Sequence, residues 1–314
     1  MGTLLADSVK GRLLFAVPKK GRLHEQLTLA GADIKYFRSH RLDIALVQNH
    51  PIALLFLNAS DIPQFVGSGN VDLGITGQDQ IAESGLTSKV NEVLPLGFGK
   101  CKLQVQVPES SPFQTVQQLS GKRIATSFEF VAGEYFGRID KEVEASRSHE
   151  EPSSPTKIQY IGGSVEAACA LGLADGIVDL VESGETMRAA GLHPIATILE
   201  TQAVLITSKA PHSTTSTNPV LVELIEKITK RIQGVIASSK FVLCTYNVRR
   251  ADMQQAVEIT RGKKAATVSP LEREEEWVAI NVMVERATIA DVMDKLQVIG
   301  AEDILVTKLE NCRV

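Results

Sequence analysis

Residues 174–192 read A-D-G-I-V-D-L-V-E-S-G-E-T-M-R-A-A-G-L. Ile177, Val178, Leu180 and Val181 form a short apolar run rich in β-branched residues; Ser183, Gly184, Glu185 and Thr186 interrupt it; residues 187–190 suit a helix that Gly191 ends. The stretch predicts strand, tight loop, helix. Such a loop offers unpaired backbone N–H groups and the hydroxyls of Ser183 and Thr186 at the positive end of a helix, a setting that suits a phosphate. Asp175 and Asp179 lie within one loop-length and can accept hydrogen bonds from sugar hydroxyls. The same spacing also fits an ordinary strand-to-helix connection, with Ser183 as N-cap and Asp179 as a solvated strand end.

The pattern V-D-L-x-x-[TS]-G at 178–184 occurs once more, at 71–77. Each copy precedes a helical stretch, 78–84 and 185–190, so two lobes built to one plan are expected. Strands that alternate with helices imply parallel sheets, whose ligands sit beyond the C-terminal strand ends. Both loops should then face one cleft.

Outward from these copies, residues 12–18 (R-L-L-F-A-V-P) predict a strand, and Lys19, Lys20 and Arg22 surround Gly21 where it hands over to a helix. Three cations there can meet an anion or form a solvated basic loop. Neither G-x-x-x-x-G-K-[ST] nor a post-strand G-x-G-x-x-G is present, which excludes a P-loop or Rossmann turn. Further strands are expected at 44–47 and 53–57, then a helix that Asp61 caps with Pro63 in its first turn. Residues 101–107 alternate as a strand ending at Pro108, and 121–127 give another. Most of the charged, Ser-, Pro- and Glu-rich stretch 140–157 reads as a mobile surface loop. A strand at 157–161 and a small-residue helix at 163–173, with Glu166 near its start, follow. Residues 196–207 should supply strands that return to the first lobe, giving one lobe from 1–100 and 195–210 and a second from 101–194.

Residues 210–219 (A-P-H-S-T-T-S-T-N-P) are a linker by composition. Leu221, Val222, Leu224, Ile225, Ile228, Ile232, Val235 and Ile236 then line one face of a helix over 220–239. After it the order is strand 241–248, helix 251–259, strand 266–271, strand 277–285, helix 289–299 and strand 303–309. That is β-α-β-β-α-β, the ferredoxin-like arrangement. Residues 220–314 hold no acid, base and nucleophile constellation, so an allosteric or assembly role is expected.

At 44% hydrophobic and 22% charged, the 314 residues compose a globular chain of two or three domains. A net charge of −4 indicates neither a nucleic-acid arm nor a basic membrane face. Cys101, Cys169, Cys244 and Cys312 form no CxxC pair, which argues against a zinc site or disulfide framework and for a reducing cytoplasm. No leader-like segment and no apolar window of about 18 residues is seen, so export and membrane spanning are not expected.

Taken together, the motifs resemble ATP phosphoribosyltransferase of the long, self-regulated form, which opens histidine biosynthesis. They are K-K-G-R-L at 19–23, D-I-P at 61–63, V-D-L-G-I-T-G at 71–77, C-K-L at 101–103, G-S-V-E at 163–166, D-L-V-E-S-G-E-T at 179–186 and G-A-E-D-I-L at 300–305. The resemblance implies an α/β fold: a two-lobed, periplasmic-binding-protein-like core of type II and a ferredoxin-like histidine-sensing domain. It implies a homo-oligomer, dimer to hexamer. The implied reaction is attack by adenine N1 of ATP on C1 of the ribose of 5-phosphoribosyl 1-diphosphate, with diphosphate leaving on Mg2+. Adenine N1 carries no proton at neutral pH, so no dedicated acid or base residue is expected, and alignment with charge neutralisation suffices. The ion should sit mainly on diphosphate oxygens, with no protein ligand cluster.

By the same resemblance, Glu182, Ser183, Gly184, Glu185 and Thr186 hold the 5-phosphate, and Asp175 and Asp179 the ribose hydroxyls. Arg22 matches the family's nucleotide-contacting arginine, Lys20, Asp72 and Lys102 are further candidates for ATP, and Asn247 and Thr267 fall to inhibitory histidine. The chain departs from the family where Asn58, Ala59 and Ser60 precede Asp61 in place of an arginine and acids, and where Gly97 replaces an acid. Asn247 stands where some relatives carry aspartate. A competing reading from another class is a non-catalytic two-lobed small-molecule-binding or effector-sensing module.

Overall fold

Near-continuous apolar runs become the interior strands of the first lobe. In the computed structural model, which describes residues 9–19, 29–36, 43–146, 154–210, 218–262 and 265–313, L-L-F-A-V-P forms β1 (Leu13–Pro18). Its Leu13, Phe15 and Ala16 are fully buried, as in a strand covered on both faces. There follow β2 (Ile44–Leu46), β3 (Ile52–Leu57), α1 (Ile62–Gly67), β4 (Leu73–Gly77), α2 (Gln78–Glu83) and β5 (Val90–Pro95). The second lobe runs β6 (Cys101–Pro108), β7 (Arg123–Thr126), α3 (Glu129–Ser146), β8 (Lys157–Tyr160), α4 (Ala167–Ala170), β9 (Gly176–Val181), α5 (Glu185–Ala189) and β10 (Leu192–Thr201). With β11 (Ala203–Ser208) the chain re-enters the first lobe.

The first sheet has the order β2-β3-β1-β4-β11-β5 and the second β10-β6-β9-β7-β8. Each contains a parallel trio, β3-β1-β4 or β8-β7-β9. Each trio is extended by an antiparallel strand, β11 or β6. The sheets are therefore mixed rather than parallel, because the chain crosses between lobes twice and each crossing delivers a strand running against the trio it joins. The two crossings are themselves bonded, Leu96 N–H to the Ala203 carbonyl at 2.9 Å and Ala203 N–H to the Phe98 carbonyl at 3.0 Å.

The shared plan holds in a register other than the V-D-L pattern suggests. Asp72, just before β4, donates its N–H to the Leu14 carbonyl, and its Oδ2 accepts the Leu14 N–H at 2.8 Å. Asp175, just before β9, does the same with Arg123 of β7, its Oδ2 accepting the Arg123 N–H at 3.0 Å. Asp72 thus corresponds to Asp175, not to Asp179.

Several other expectations change. β10 pairs with β6 along Leu192–Thr201, so residues 195–201 belong to the second sheet and the return begins only at Gln202. Residues 140–146 are not loop but the last turns of the 18-residue α3, whose Val131, Ala132, Phe136 and Ile139 enter the second core. Lys141, Glu142 and Glu144 are its solvent side, whereas Asp140 turns back to accept from Ser120 Oγ at 2.6 Å and the Thr156 N–H at 2.8 Å. The helix expected at 163–173 shrinks to Ala167–Ala170, bounded by left-handed backbone at Ser164 and Gly172. Asp61 occupies the N-cap position of α1 without capping it; the carboxylate accepts from Asn58 Nδ2 at 3.1 Å.

The chain divides into two compact units, Met1–Glu25 with Tyr36–Ile225, and Gln26–Lys35 with Glu226–Val314. In the second, after α6 (Pro219–Ser239), come β12 (Phe241–Arg249), α7 (Met253–Ile259), β13 (Thr267–Leu271), β14 (Glu274–Glu285), α8 (Ile289–Val298) and β15 (Glu302–Lys308). The sheet order β13-β14-β12-β15, all antiparallel, is ferredoxin-like. Val242, Cys244, Tyr246 and Val248 face the core with Ala256, Val292 and Leu296, leaving the odd-numbered side of β12 on the other face. Residues 26–35, expected in the first lobe, group with this unit: Asn311 Nδ2 donates to the Gly31 carbonyl at 2.9 Å, and Arg231 Nη1 to that of Ala32 at 3.2 Å. Among the described residues, no helix is long and apolar enough to cross a membrane.

Candidate active site

β9 delivers its chain to the C-terminal edge of the second parallel trio, where residues 182–184 turn into α5. Gly184, the N-cap of α5, has φ 76°, a left-handed conformation that side chains resist. Among the described residues, the N–H groups of Gly184, Thr186 and Met187 donate to no protein acceptor, and that of Glu185 meets Ser183 Oγ only at 3.4 Å. Arg188 Nη2 donates to the Ser183 carbonyl at 3.2 Å. Since the C=O and N–H of one peptide unit point opposite ways, this hold directs the Gly184 N–H away from the arginine.

Glu182, Ser183, Gly184, Glu185 and Thr186 all line one cleft of about 560 Å³. Thr76 and Gly77, at the C-terminal end of β4, line the same cleft from the first lobe. The two loops expected to converge do so. Thr76 Oγ1 is engaged with the Ala59 carbonyl at 2.8 Å. Asp79, 6% exposed, also lines this space, its Oδ1 accepting from Thr201 Oγ1 at 2.7 Å and its Oδ2 from Gln80 Nε2 at 2.7 Å.

Asp179 lies in β9, opposite Gln104 of β6, and its Oδ1 accepts the Leu180 N–H at 2.8 Å. Burial pushes its carboxyl above the usual carboxylate range; Glu166 adds to the rise and the Leu180 amide opposes it. Such a group gains from hydroxyl donors when it ionises.

Asp179 is not among the residues lining either concavity, and the structure sets the other two acids farther from the cleft. Asp72 and Asp175 stand at the N-terminal ends of β4 and β9, the far edge of each trio from Gly77 and Val181. At about 3.3 Å per residue, the six residues of β9 put Asp175 roughly 20 Å from the loop. Its carboxylate is occupied by Arg123, Nε at 3.1 Å and Nη2 at 2.9 Å, and that hydrogen-bonded cation holds its pKa below the usual range. Asp72 joins β4 to β1. Both acids bind the backbone of the neighbouring strand, a role that spacing alone does not distinguish from a ligand role.

Lys102 pairs with Glu200 at 2.8 Å beside a second concavity of about 710 Å³, on which Lys100, Arg188, Gln78 and residues 182–184 also lie. Lys20 and Arg22 fall outside the described residues; their neighbour Lys19 meets Asp43 at 2.6 Å. In the second unit, Asn247 Nδ2 donates to Asp303 Oδ2 at 2.9 Å. Thr267 pairs with Asn281 and Asn281 with Thr245, two residues from Asn247, so Thr267 and Asn247 share the open face of the sheet. Sequence reasoning passed over Asp79, Gln80 and Arg188. Asp79 follows a T-G turn in a strand-to-helix handover as Thr186 follows S-G, and that parallel could have found it.

The ATP phosphoribosyltransferase family model matches residues 58–234 and the HisG, C-terminal domain model residues 238–311. An ATP phosphoribosyltransferase from Yarrowia lipolytica is 53% identical over 312 residues, covering 99% of each chain. Its counterpart in Saccharomyces cerevisiae is 48% identical with the same coverage. Among solved structures, an ATP phosphoribosyl transferase (HisG:HisZ) complex from Thermotoga maritima aligns with TM-score 0.54 at 24% identity, over 70% of this chain and 98% of that one. At that identity the likeness concerns the fold alone.

Proposed function

The chain belongs to the ATP phosphoribosyltransferase family, and from that membership we propose that the cleft between Gly77 and the 182–186 loop is where phosphoribosyl transfer occurs. The enzyme is a pentosyltransferase that joins the phosphoribosyl group of 5-phosphoribosyl 1-diphosphate to N1 of ATP, the first step of histidine biosynthesis. The observation that carries the site reading is the loop: N–H groups at 184, 186 and 187 that have no acceptor among the described residues, on the wall of a cleft shared with the opposite lobe.

In this reading the amides of 184–187 and the hydroxyls of Ser183 and Thr186 bind the 5-phosphate, and Asp179 accepts from the ribose hydroxyls. Asp72 and Asp175 are left out of the site. Lys102, with Lys100 and Arg188, offers cationic charge to the diphosphate or triphosphate from the adjoining concavity. Adenine N1 has its lone pair available at neutral pH, so the protein's work is to align N1 with C1 and to keep water out. The family implies Mg2+, and the oxygen donors of Glu182 and Glu185 on the cleft wall suit that hard ion. Bound there it would neutralise charge on the departing diphosphate.

The ferredoxin-like unit is read as a histidine sensor. Asn247 and Thr267 share its open sheet face, and Asp303, hydrogen-bonded to Asn247, supplies a carboxylate for an α-amino group beside the neutral amide. A dimer-to-hexamer assembly and a cytoplasmic location complete the proposal. The assay is product absorbance with ATP, 5-phosphoribosyl 1-diphosphate and Mg2+, with and without histidine, alongside sedimentation. Absence of product at any enzyme concentration would refute the site. Activity and sedimentation indifferent to histidine would refute the sensor.

A further inference from the structure

α2 belongs to the first lobe by chain order, yet both of its ends are fastened to the second. At the start, the Asp79 N–H donates to Thr201 Oγ1 at 3.0 Å and that hydroxyl donates back to Asp79 Oδ1 at 2.7 Å. Both residues are buried, and Thr201 ends β10 of the second sheet. At the finish, Glu83 divides its carboxylate between two amides of α3: Oε1 accepts from Phe130 at 2.9 Å and Oε2 from Val131 at 3.0 Å. These are first-turn N–H groups that have no acceptor inside their own helix. Between the two ends Ala82 packs on the second lobe's core. Past Glu83, Gly85 at φ 65° admits the Phe130 ring; a Cβ there would stand 3.3 Å from the ring edge.

The placement of α2 gives this fastening a consequence. It starts directly after Gly77, the first lobe's rim of the cleft, while α3 follows β7, whose neighbour β9 carries the phosphate loop. Beside the two bonded crossings, the separation of the two rims is thus constrained through a six-residue helix with a hydrogen-bonded acid at each end. Asp79 itself lines the cleft, whereas Glu83 does not. Glu83 is therefore the member of the pair that can act on alignment without touching substrate.

We propose that Glu83 is a positioning residue for phosphoribosyl transfer, fixing α2, and with it the Gly77 rim, at the distance across which adenine N1 meets the ribose carbon. The proposal rests on the cleft being the site of transfer. Reactions that depend on alignment lose about a hundredfold for a misplacement of about 1 Å. A carboxylate that merely stabilised the fold would instead lower every ligand affinity and the melting temperature together.

The test compares the full-length protein with Glu83→Gln, which keeps the length but has only one acceptor oxygen, and Glu83→Asp, which keeps the charge but is one methylene short. For each, kcat and both KM values are measured, together with the Kd of 5-phosphoribosyl 1-diphosphate alone and the Tm. The expected result is a kcat lowered roughly tenfold to a hundredfold in both variants. The Kd should stay within about twofold, since the phosphate loop lies wholly on one lobe, and the Tm should fall by no more than a few degrees, the cost of helix N–H groups left without their acceptor. An unchanged kcat in Glu83→Gln overturns the proposal, as does a kcat loss matched by equal losses of donor affinity and Tm. A wild-type chain without transfer overturns the reading of the cleft as well, and is told apart because it precedes any substitution.

Discussion

Asp175 holds Arg123 twice over: its Oδ2 accepts the arginine's backbone N–H at 3.0 Å, and its two oxygens take the guanidinium fork at 3.1 and 2.9 Å. The pair locks the start of β9 to the start of β7 on the edge of the sheet opposite the phosphate loop. Asp175→Asn should therefore lower the Tm by a few degrees and leave the KM for 5-phosphoribosyl 1-diphosphate unchanged. The pH dependence has a definite sign. The folded-state pKa lies below the unfolded value of about 3.9, so the stabilisation is present above that value and is lost as pH falls through the folded pKa. The difference in Tm between wild type and Asp175→Asn should thus be constant near neutrality and shrink in acid. A raised KM with unchanged Tm would return Asp175 to the substrate site.

Asp179 should behave in the opposite way. Burial raises its pKa, so its carboxylate costs stability once pH exceeds the unfolded value, and the cost grows as pH rises through the folded pKa. Asp179→Asn keeps an oxygen for the Leu180 N–H and removes that charge, so the Tm at neutral pH should be equal or higher. Its kcat/KM for the ribosyl donor should fall roughly tenfold to a hundredfold, because hydrogen bonds to a charged group contribute about 1.5–3 kcal/mol. Wild-type activity in this variant would remove Asp179 from the ribose subsite.

At Gly184 two effects add. Left-handed backbone costs a residue with a side chain about 1–2 kcal/mol, and a Cβ 2.7 Å from Arg188 Nη1 would push aside the flexible guanidinium that holds the Ser183 carbonyl. Gly184→Ala should distort the loop and raise the KM for 5-phosphoribosyl 1-diphosphate at least about tenfold, while the KM for ATP changes little. Equal changes in both KM values would show that the loop does not discriminate between the substrates.

In the second unit, Asn247→Ala should remove histidine inhibition and leave uninhibited turnover intact, since the Asn247 side chain bonds Asp303 on an open sheet face. A coupling of about 1–3 kcal/mol between effector and substrate is the size at stake. Inhibition that persists unchanged in this variant would exclude Asn247 from the effector site.

The ferredoxin-like order and the strand-loop-helix at 176–189 were legible because hydrophobic period and turn chemistry agree there: even-numbered residues of β12 are apolar, and S-G breaks β9 from α5. The long α3 was not, because Gly133 and Gly137 dilute its apolar stripe and its charged end resembles a loop. Nor was the antiparallel course of β6 and β11, which depends on the double crossing between lobes rather than on local pattern. In the site, the loop residues are contiguous and could be read directly. Asp72 and Asp175 could not be placed, because an acid that binds a neighbouring strand's amide has the same sequence context as one that binds a sugar. Glu83 and Asp79 depend on partners 47 and 122 residues away, which no local spacing records.

The central claim is that the main-chain amides of 184–187 bind the donor's 5-phosphate. A crystal structure with 5-phosphoribosyl 1-diphosphate bound tests it most directly. The account predicts phosphate oxygens within hydrogen-bond distance of the Gly184, Thr186 and Met187 nitrogens, with the ribose beside Asp179. A phosphate bound elsewhere in the cleft, or ribose hydroxyls on Asp175, would contradict it.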